Sequence, residues 1–153
     1  MNLEPNAKEM QQFMNEAIAQ ARQGLAEGGI PIGSVLARDG KIIGRGHNRR
    51  VQHGDPTAHA EIDCLKQCGR IGNYKDTILY STLMPCTMCA GAAVLFRIPV
   101  VVAGENRTFH SADQWMESTG VKVFDLDLAE CYDMLQRFAA EHPDIWAEDI
   151  GEL

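Results

Sequence analysis

The chain has 153 residues, 45% hydrophobic and 23% charged, with a formal net charge of −7, which predicts one globular domain with a real core rather than a disordered chain. The acidic balance weighs against substrates held through many phosphates, so nucleic acid is not the expected partner. No apolar run approaches the roughly 20 residues that span a bilayer, and Met1-Asn2-Leu3-Glu4-Pro5 has neither the basic nor the apolar stretch of a secretory leader, so no membrane partner and a cytoplasmic location are expected.

Residues 7–27 carry Met10, Phe13, Met14, Ala17, Ile18, Ala21 and Leu25 on one stripe, which predicts an amphipathic helix whose apolar face is core, stopped by Gly28-Gly29. Residues 33–38 and 41–46 are two β-prone runs joined by Asp39-Gly40, a strong hairpin signal. A polar loop is expected over residues 49–57, then a helix over about 58–68 ended by Gly69. Residues 77–82 place apolar and β-prone side chains on both parities, as in a central strand covered on both faces. Pro85 opens a predicted helix to about Phe96. A Val-rich strand (99–103), a short helix (111–118), a strand (121–125) and a helix (128–140) follow, with His142-Pro143 breaking the last and a short tail to Leu153. Strand–helix–strand order implies right-handed parallel crossovers. The predicted fold is α/β: a three-layer α/β/α sandwich on one five-stranded mixed sheet.

The chemistry concentrates between His59 and Cys89. His59-Ala60-Glu61 is followed, after the 24 residues Ile62 to Pro85, by Cys86-Thr87-Met88-Cys89. One His and two Cys suit Zn2+ with an open fourth position for water, which zinc makes acidic enough to ionise at about pH 7. Cys86 and Cys89 at i and i+3 share a face near a helix start, where thiolate is favoured. Glu61 is not needed as a ligand and is free to move protons. Five cysteines, an odd number in a chain without secretory features, fit metal binding or free thiols better than a disulfide framework. Other readings exist. Pro-Cys-x-x-Cys alone also describes a redox pair. A structural zinc site would need a fourth ligand, for which Cys64, Cys68, His47 and His53 are available. Neither gives Glu61 a purpose, and Cys64 and Cys68 at i, i+4 look like core thiols.

His-x-Glu followed by Pro-Cys-x-x-Cys is the signature of zinc nucleobase deaminases, and on these residues the chain resembles the cytidine/cytosine deaminase superfamily from Gly29-Ile30-Pro31-Ile32-Gly33 to its tail. The stretches from Asp39 to Arg49, from Asp55 to Ile62 and from Cys86 to Ala92 resemble bacterial tRNA-adenosine deaminases. Gly104-Glu105-Asn106 with Phe109, and the ending Ile145-Trp146-Ala147-Glu148-Asp149-Ile150-Gly151-Glu152, look like fungal-type free-base cytosine deaminases.

The resemblance implies zinc on His59, Cys86 and Cys89, Glu61 as the catalytic proton carrier, and a homodimer, with an interface expected along the helix from Cys86 to Phe96. It also implies a substrate pocket. There Trp146 and Ile150 form a lid and Phe109 packs on the ring. Asp149 accepts from the exocyclic amine. Asn48 meets the ring carbonyl and N–H edge, the Ala60 N–H also meets that carbonyl, and Ile32 lines the floor. Met84 replaces a small hydroxyl residue before Pro-Cys-x-x-Cys, where the implied contact to the amine is through the backbone carbonyl. Ala60 replaces Gly, and Asp55-Pro56 follows the tRNA-type pattern. All three bear on which base is preferred. The expected activity is conversion of cytosine to uracil and ammonia, as in pyrimidine salvage. The alternatives are another aminated base (guanine or a substituted pyrimidine), tRNA adenosine, or a zinc-binding scaffold without catalysis. A tRNA enzyme must admit a flipped nucleotide with its ribose and flanking strand, whereas a tail folded over the pocket closes it on a free base. The bland reading of the tail is a solvated acidic terminus, against which stand Ile145, Trp146 and Ile150.

Overall fold

Asn6 starts the first helix: its side chain accepts a hydrogen bond from the Glu9 N–H at 2.9 Å, filling one of the donors a helix start leaves open. A computed structural model of the chain describes residues 3–109 and 112–153. The helix, α1 (Ala7–Ala26), buries Phe13, Met14, Ala17, Ile18 and Ala21, the stripe expected from the sequence. Strands β1 (Gly33–Arg38) and β2 (Lys41–His47) pair antiparallel. Asp39 and Gly40 both take positive φ, 52° and 73°, as a two-residue hairpin turn of this twist requires.

After α2 (Arg50–His53) and α3 (Ala60–Cys68), strand β3 (Thr77–Ser81) pairs antiparallel with β1. Helix α4 (Thr87–Leu95), strand β4 (Val100–Ala103), helix α5 (Asp113–Ser118) and strand β5 (Lys122–Asp125) follow, with β3, β4 and β5 mutually parallel. The sheet order is β2-β1-β3-β4-β5, the mixed five-stranded sheet expected. Helices α6 (Ala129–Glu141) and α7 (Pro143–Asp149) complete the described elements.

Both faces of the sheet are covered. Val35, Ala37, Tyr80, Val100 and Val102 meet α1 and Cys131 of α6. Leu36, Leu79, Val101 and Ala103 meet Cys64 and Leu65 of α3, Ala90 and Ala93 of α4, and Met116 of α5. This is the three-layer sandwich. A smaller cluster, Ile30, Ile32, Ala60, Leu83, Leu135 and Phe138, sits at one end of the sheet with Phe109, Ile145 and Trp146 against it. Gly46 lets α3 approach: a Cβ there would lie 2.3 Å from the Cys64 nitrogen.

Four details depart from the sequence reading. The 49–57 loop contains the one-turn α2, closed by Gly54 in the left-handed region. Pro85 is outside α4, whose N-cap is Cys86, because the chain stays extended there (φ −69°, ψ 176°). His59 likewise caps α3 with extended dihedrals, so that helix begins at Ala60. The tail is a helix: Pro143 ends α6 and also occupies the first turn of α7, where its missing N–H costs nothing. The expected start of the short helix α5 at Ser111 lies outside the described residues.

Candidate metal centre and pocket

The sheet brings the motif together at one edge. Gly33 of β1 faces His47 of β2, Ser34 faces Ser81 of β3, and Ser81 faces Ala103 of β4. The turns leaving β2, β3 and β4 therefore emerge side by side, and α3 and α4 start there, as open α/β sheets place their ligand sites. His59 and Cys86 are the two N-caps, and Cys89 is in the first turn of α4.

The ligand atoms of His59, Cys86 and Cys89 all lie within 4.8 Å of one another. His59 Nδ1 is 3.5 Å from Cys86 Sγ, so Nδ1 is the metal-facing nitrogen. His59 Nε2 lies 3.2 Å from Asp149 Oδ1, the histidine–carboxylate pairing that orients metal-binding imidazoles. Cys89 and then His59 bring the Cys86 thiol down to about 4, against its burial. Hydrogen bonding to Cys86 and burial hold the Cys89 thiol well above the usual range. Burial opposes charge on His59, but Asp149 and Cys86 outweigh it and raise its pKa to about 10. One nitrogen and two sulfurs at this spacing, with a thiolate already favoured, fit zinc in a three-ligand site.

Glu61 is buried in the first turn of α3. Burial, with the Cys86 charge adding to it, pushes its carboxyl up to about 7, where a carboxylate both takes and gives protons at neutral pH.

A cavity of about 260 Å³ opens beside these residues, lined among others by Ile32, Asn48, Phe109, Trp146, Asp149 and Ile150. Asn48 is fully buried; its Oδ1 accepts from the Arg50 N–H at 2.9 Å, while its Nδ2 has no protein partner. Ala60, also buried, is the first residue of α3, so its N–H has no acceptor within the helix. Asp149 Oδ1 accepts no hydrogen bond beyond its charge contacts to His59 and Arg50, the latter at 3.7 Å.

A family model described as the cytidine and deoxycytidylate deaminase zinc-binding region matches residues 7–105. The chain belongs to the cytidine and deoxycytidylate deaminase family. A cytosine deaminase of Candida albicans is 42% identical over 139 residues, 89% of this chain and 93% of that protein. A tRNA-specific adenosine deaminase of Streptococcus pyogenes is 43% identical over 110 residues, 69% of each. A solved structure from a study of A-to-I editing by tRNA:A34 deaminases superposes with TM-score 0.74 at 31% identity, over 82% of this chain and 99% of that one.

In this deaminase chain every residue expected at the pocket lines the cavity: Ile32, Asn48, Ala60, Met84, Phe109, Trp146, Asp149 and Ile150, with His59, Glu61 and Cys86. Cys89 sits behind them, fully buried. Met84, the main departure from the fungal-type pattern, is 2% exposed and packs in the core with Leu79, Ala90 and Ala93. Pro56, Leu83, Thr87 and Met88 also line the cavity. Sequence reading missed them, although Thr87 and Met88 lie between the two cysteines. It also missed the role of Glu105. That buried carboxylate accepts from the Arg107 and Thr108 N–H groups (2.7 and 3.0 Å) and the Thr108 hydroxyl, shaping the loop that carries Phe109. The following Thr108 was the available signal.

Proposed function

We propose that this chain is a zinc-dependent hydrolytic deaminase of a free nucleobase, with cytosine as substrate: cytosine and water give uracil and ammonia. The observation that carries this reading is the roof of the cavity. Trp146, Asp149 and Ile150, all from α7 and its C-cap, close a space of about 260 Å³, below the range of about 300–1,000 Å³ typical for drug-sized ligands. A space of this size suits a single ring better than a flipped nucleotide with its ribose and flanking strand. Similarity to cytosine deaminase over 139 residues, against 110 for the tRNA enzyme, supports the same choice, as does the net charge of −7.

His59, Cys86 and Cys89 would hold the zinc, which supplies Lewis acidity that brings the pKa of water down to about 7. Glu61 takes a proton from the attacking water, delivers it to the ring nitrogen beside the amine-bearing carbon, and then carries the second proton of that water, from the hydroxyl now on the carbon, to the amine as the C–N bond breaks and the carbonyl forms. The Asn48 Nδ2 and Ala60 N–H donate to the ring carbonyl, which explains why the former has no protein partner. Asp149 accepts from the amine. Ile32, Phe109, Trp146 and Ile150 exclude water, and the Met84 backbone lines the amine side. Exposed Met88, Leu95 and Phe96 on α4 support a homodimer along that helix.

A second reading, tRNA adenosine deamination, is favoured by the 43% identity over 110 residues and by the superposition on the tRNA:A34 deaminase structure. Ammonia release from cytosine, 5-methylcytosine, guanine, adenine and a tRNA anticodon hairpin separates the readings. Cytosine turnover that disappears in Glu61→Ala is the expected result. Turnover of another free base shifts the substrate but keeps the site. Full activity in Glu61→Ala contradicts the proton carrier, and a zinc content near zero in active protein contradicts the metal centre.

A further inference from the structure

Arg50 is the first residue of the four-residue helix α2, at the protein surface, yet its side chain is only 14% exposed. An arginine on so short a surface helix normally keeps its guanidinium in water. Here the guanidinium turns inward. Nη1 donates to the Pro56 carbonyl at 2.9 Å, and Pro56 lines the cavity. The same Nη1 lies 3.7 Å from Asp149 Oδ1, and Nη2 lies 3.7 Å from Glu148 Oε1. The Arg50 N–H meanwhile donates to Asn48 Oδ1 at 2.9 Å. That contact fixes the amide so that its unpartnered Nδ2 is the group left for a ligand.

The other end of these contacts is weakly anchored. Helix α7 has no fully buried residue. It is held by apolar contact of Ile145 and Trp146 with the small end cluster and by the charges around Asp149. The Asp149 side chain is 3% exposed and flanked by the His59 imidazole and the Arg50 guanidinium. A carboxylate buried to that degree needs opposite charge around it. His59 Nε2, 3.2 Å from Asp149, joins this carboxylate to the metal side, while Arg50 Nη1, 3.7 Å away, joins it to α2, and Arg50 alone of the two also reaches Glu148.

We infer that Arg50 is a positioning residue for the deamination site: its main chain sets the Asn48 amide, and its guanidinium ties α7 across the cavity through Asp149 and Glu148. One side chain thereby joins the floor that meets the base edge to the roof that covers it. This rests on the reading of the cavity as a free-base pocket roofed by α7.

The test uses the zinc-loaded full-length protein and the variants Arg50→Met and Arg50→Lys. Neither touches the main-chain N–H to Asn48, so both isolate the guanidinium. Amide hydrogen exchange without substrate comes first. In Arg50→Met, exchange over residues 143–153 is expected to accelerate about tenfold, the scale of losing a charge-assisted tie, while β3 and β4 exchange as before and zinc stoichiometry is unchanged. With cytosine, KM is expected to rise about tenfold and kcat to change by less than about threefold, since the roof binds rather than reacts. Arg50→Lys is expected to recover roughly a third of the loss, because an ammonium cannot fork to two partners. Unchanged exchange over 143–153 overturns the inference whatever the kinetics. Equal acceleration in β3 and β4 also overturns it, since the change would then be general unfolding. Acceleration confined to 143–153 in a protein that turns over no free base upholds the tie and removes the free-base reading, so the two fail separately.

Discussion

Glu61 is a costly residue to keep at this sheet edge. Its carboxyl is buried, beside a thiolate, with its pKa pushed up to about 7 from an ordinary 4.5. Glu61→Gln keeps the shape and removes the proton carrier. Turnover is expected to fall on the order of 10²- to 10⁴-fold, with zinc stoichiometry by elemental analysis unchanged. The same substitution has a stability signature in chelator-stripped protein. Below about pH 4.5 the carboxyl is protonated folded and unfolded, and it contributes nothing. Above about pH 7 the folded protein must bury the charge while the unfolded chain does not, so the carboxyl's contribution to stability falls as pH rises from 4.5 to 7. Glu61→Gln is therefore expected to raise the melting temperature at pH 8 and to leave it nearly unchanged near pH 4.5. Equal gains at both pH values would contradict the buried, proton-holding carboxyl. Met84, which stands where the fungal-type pattern has a small hydroxyl residue, belongs both to the core and to the cavity lining.

At the scale of elements, what could be read from the chain was what depends on near neighbours. The α1 stripe follows from 3.6-residue periodicity and the β1–β2 hairpin from Asp39-Gly40, whose dihedrals the turn demands. Metal-ligand spacing survived because His59 and Cys86 begin consecutive crossover helices, so the fold itself brings them together. Helix α7 was missed for a physical reason. Pro143 signals a helix end and a helix start equally well, and seven residues without a buried apolar residue carry no apolar stripe. Arg50 was missed because its partners Glu148 and Asp149 lie about a hundred residues away in the chain, and no local pattern announces them. The close approach of α3 to β2 gives an element-scale prediction. Gly46→Ala places a Cβ 2.3 Å from the Cys64 nitrogen, so α3 must shift with His59 and Glu61 at its start. The expected cost is about 1–3 kcal/mol, seen as a lower melting temperature, together with weaker zinc retention against a chelator. Wild-type retention would mean α3 moves without its N-terminus.

Across the whole molecule, the sandwich supplies the edge at which the metal-ligand set is assembled, and α7 with its C-cap lines the cavity beside it. The shared His–Glu–Cys–Cys set suits either a free base or a tRNA base; the roof from Trp146 to Ile150 and the net charge of −7 favour the free base. A neutral base releases no counterions on binding, so its KM is expected to stay within about twofold between 50 and 200 mM salt, where a polyanion held by several phosphates loses affinity by orders of magnitude. The most direct measurement is ammonia release by the zinc-loaded protein from cytosine and from a tRNA anticodon hairpin, side by side with Glu61→Ala. The account predicts release from cytosine, none from the hairpin, and none from either with the variant. Release from the hairpin alone would contradict it.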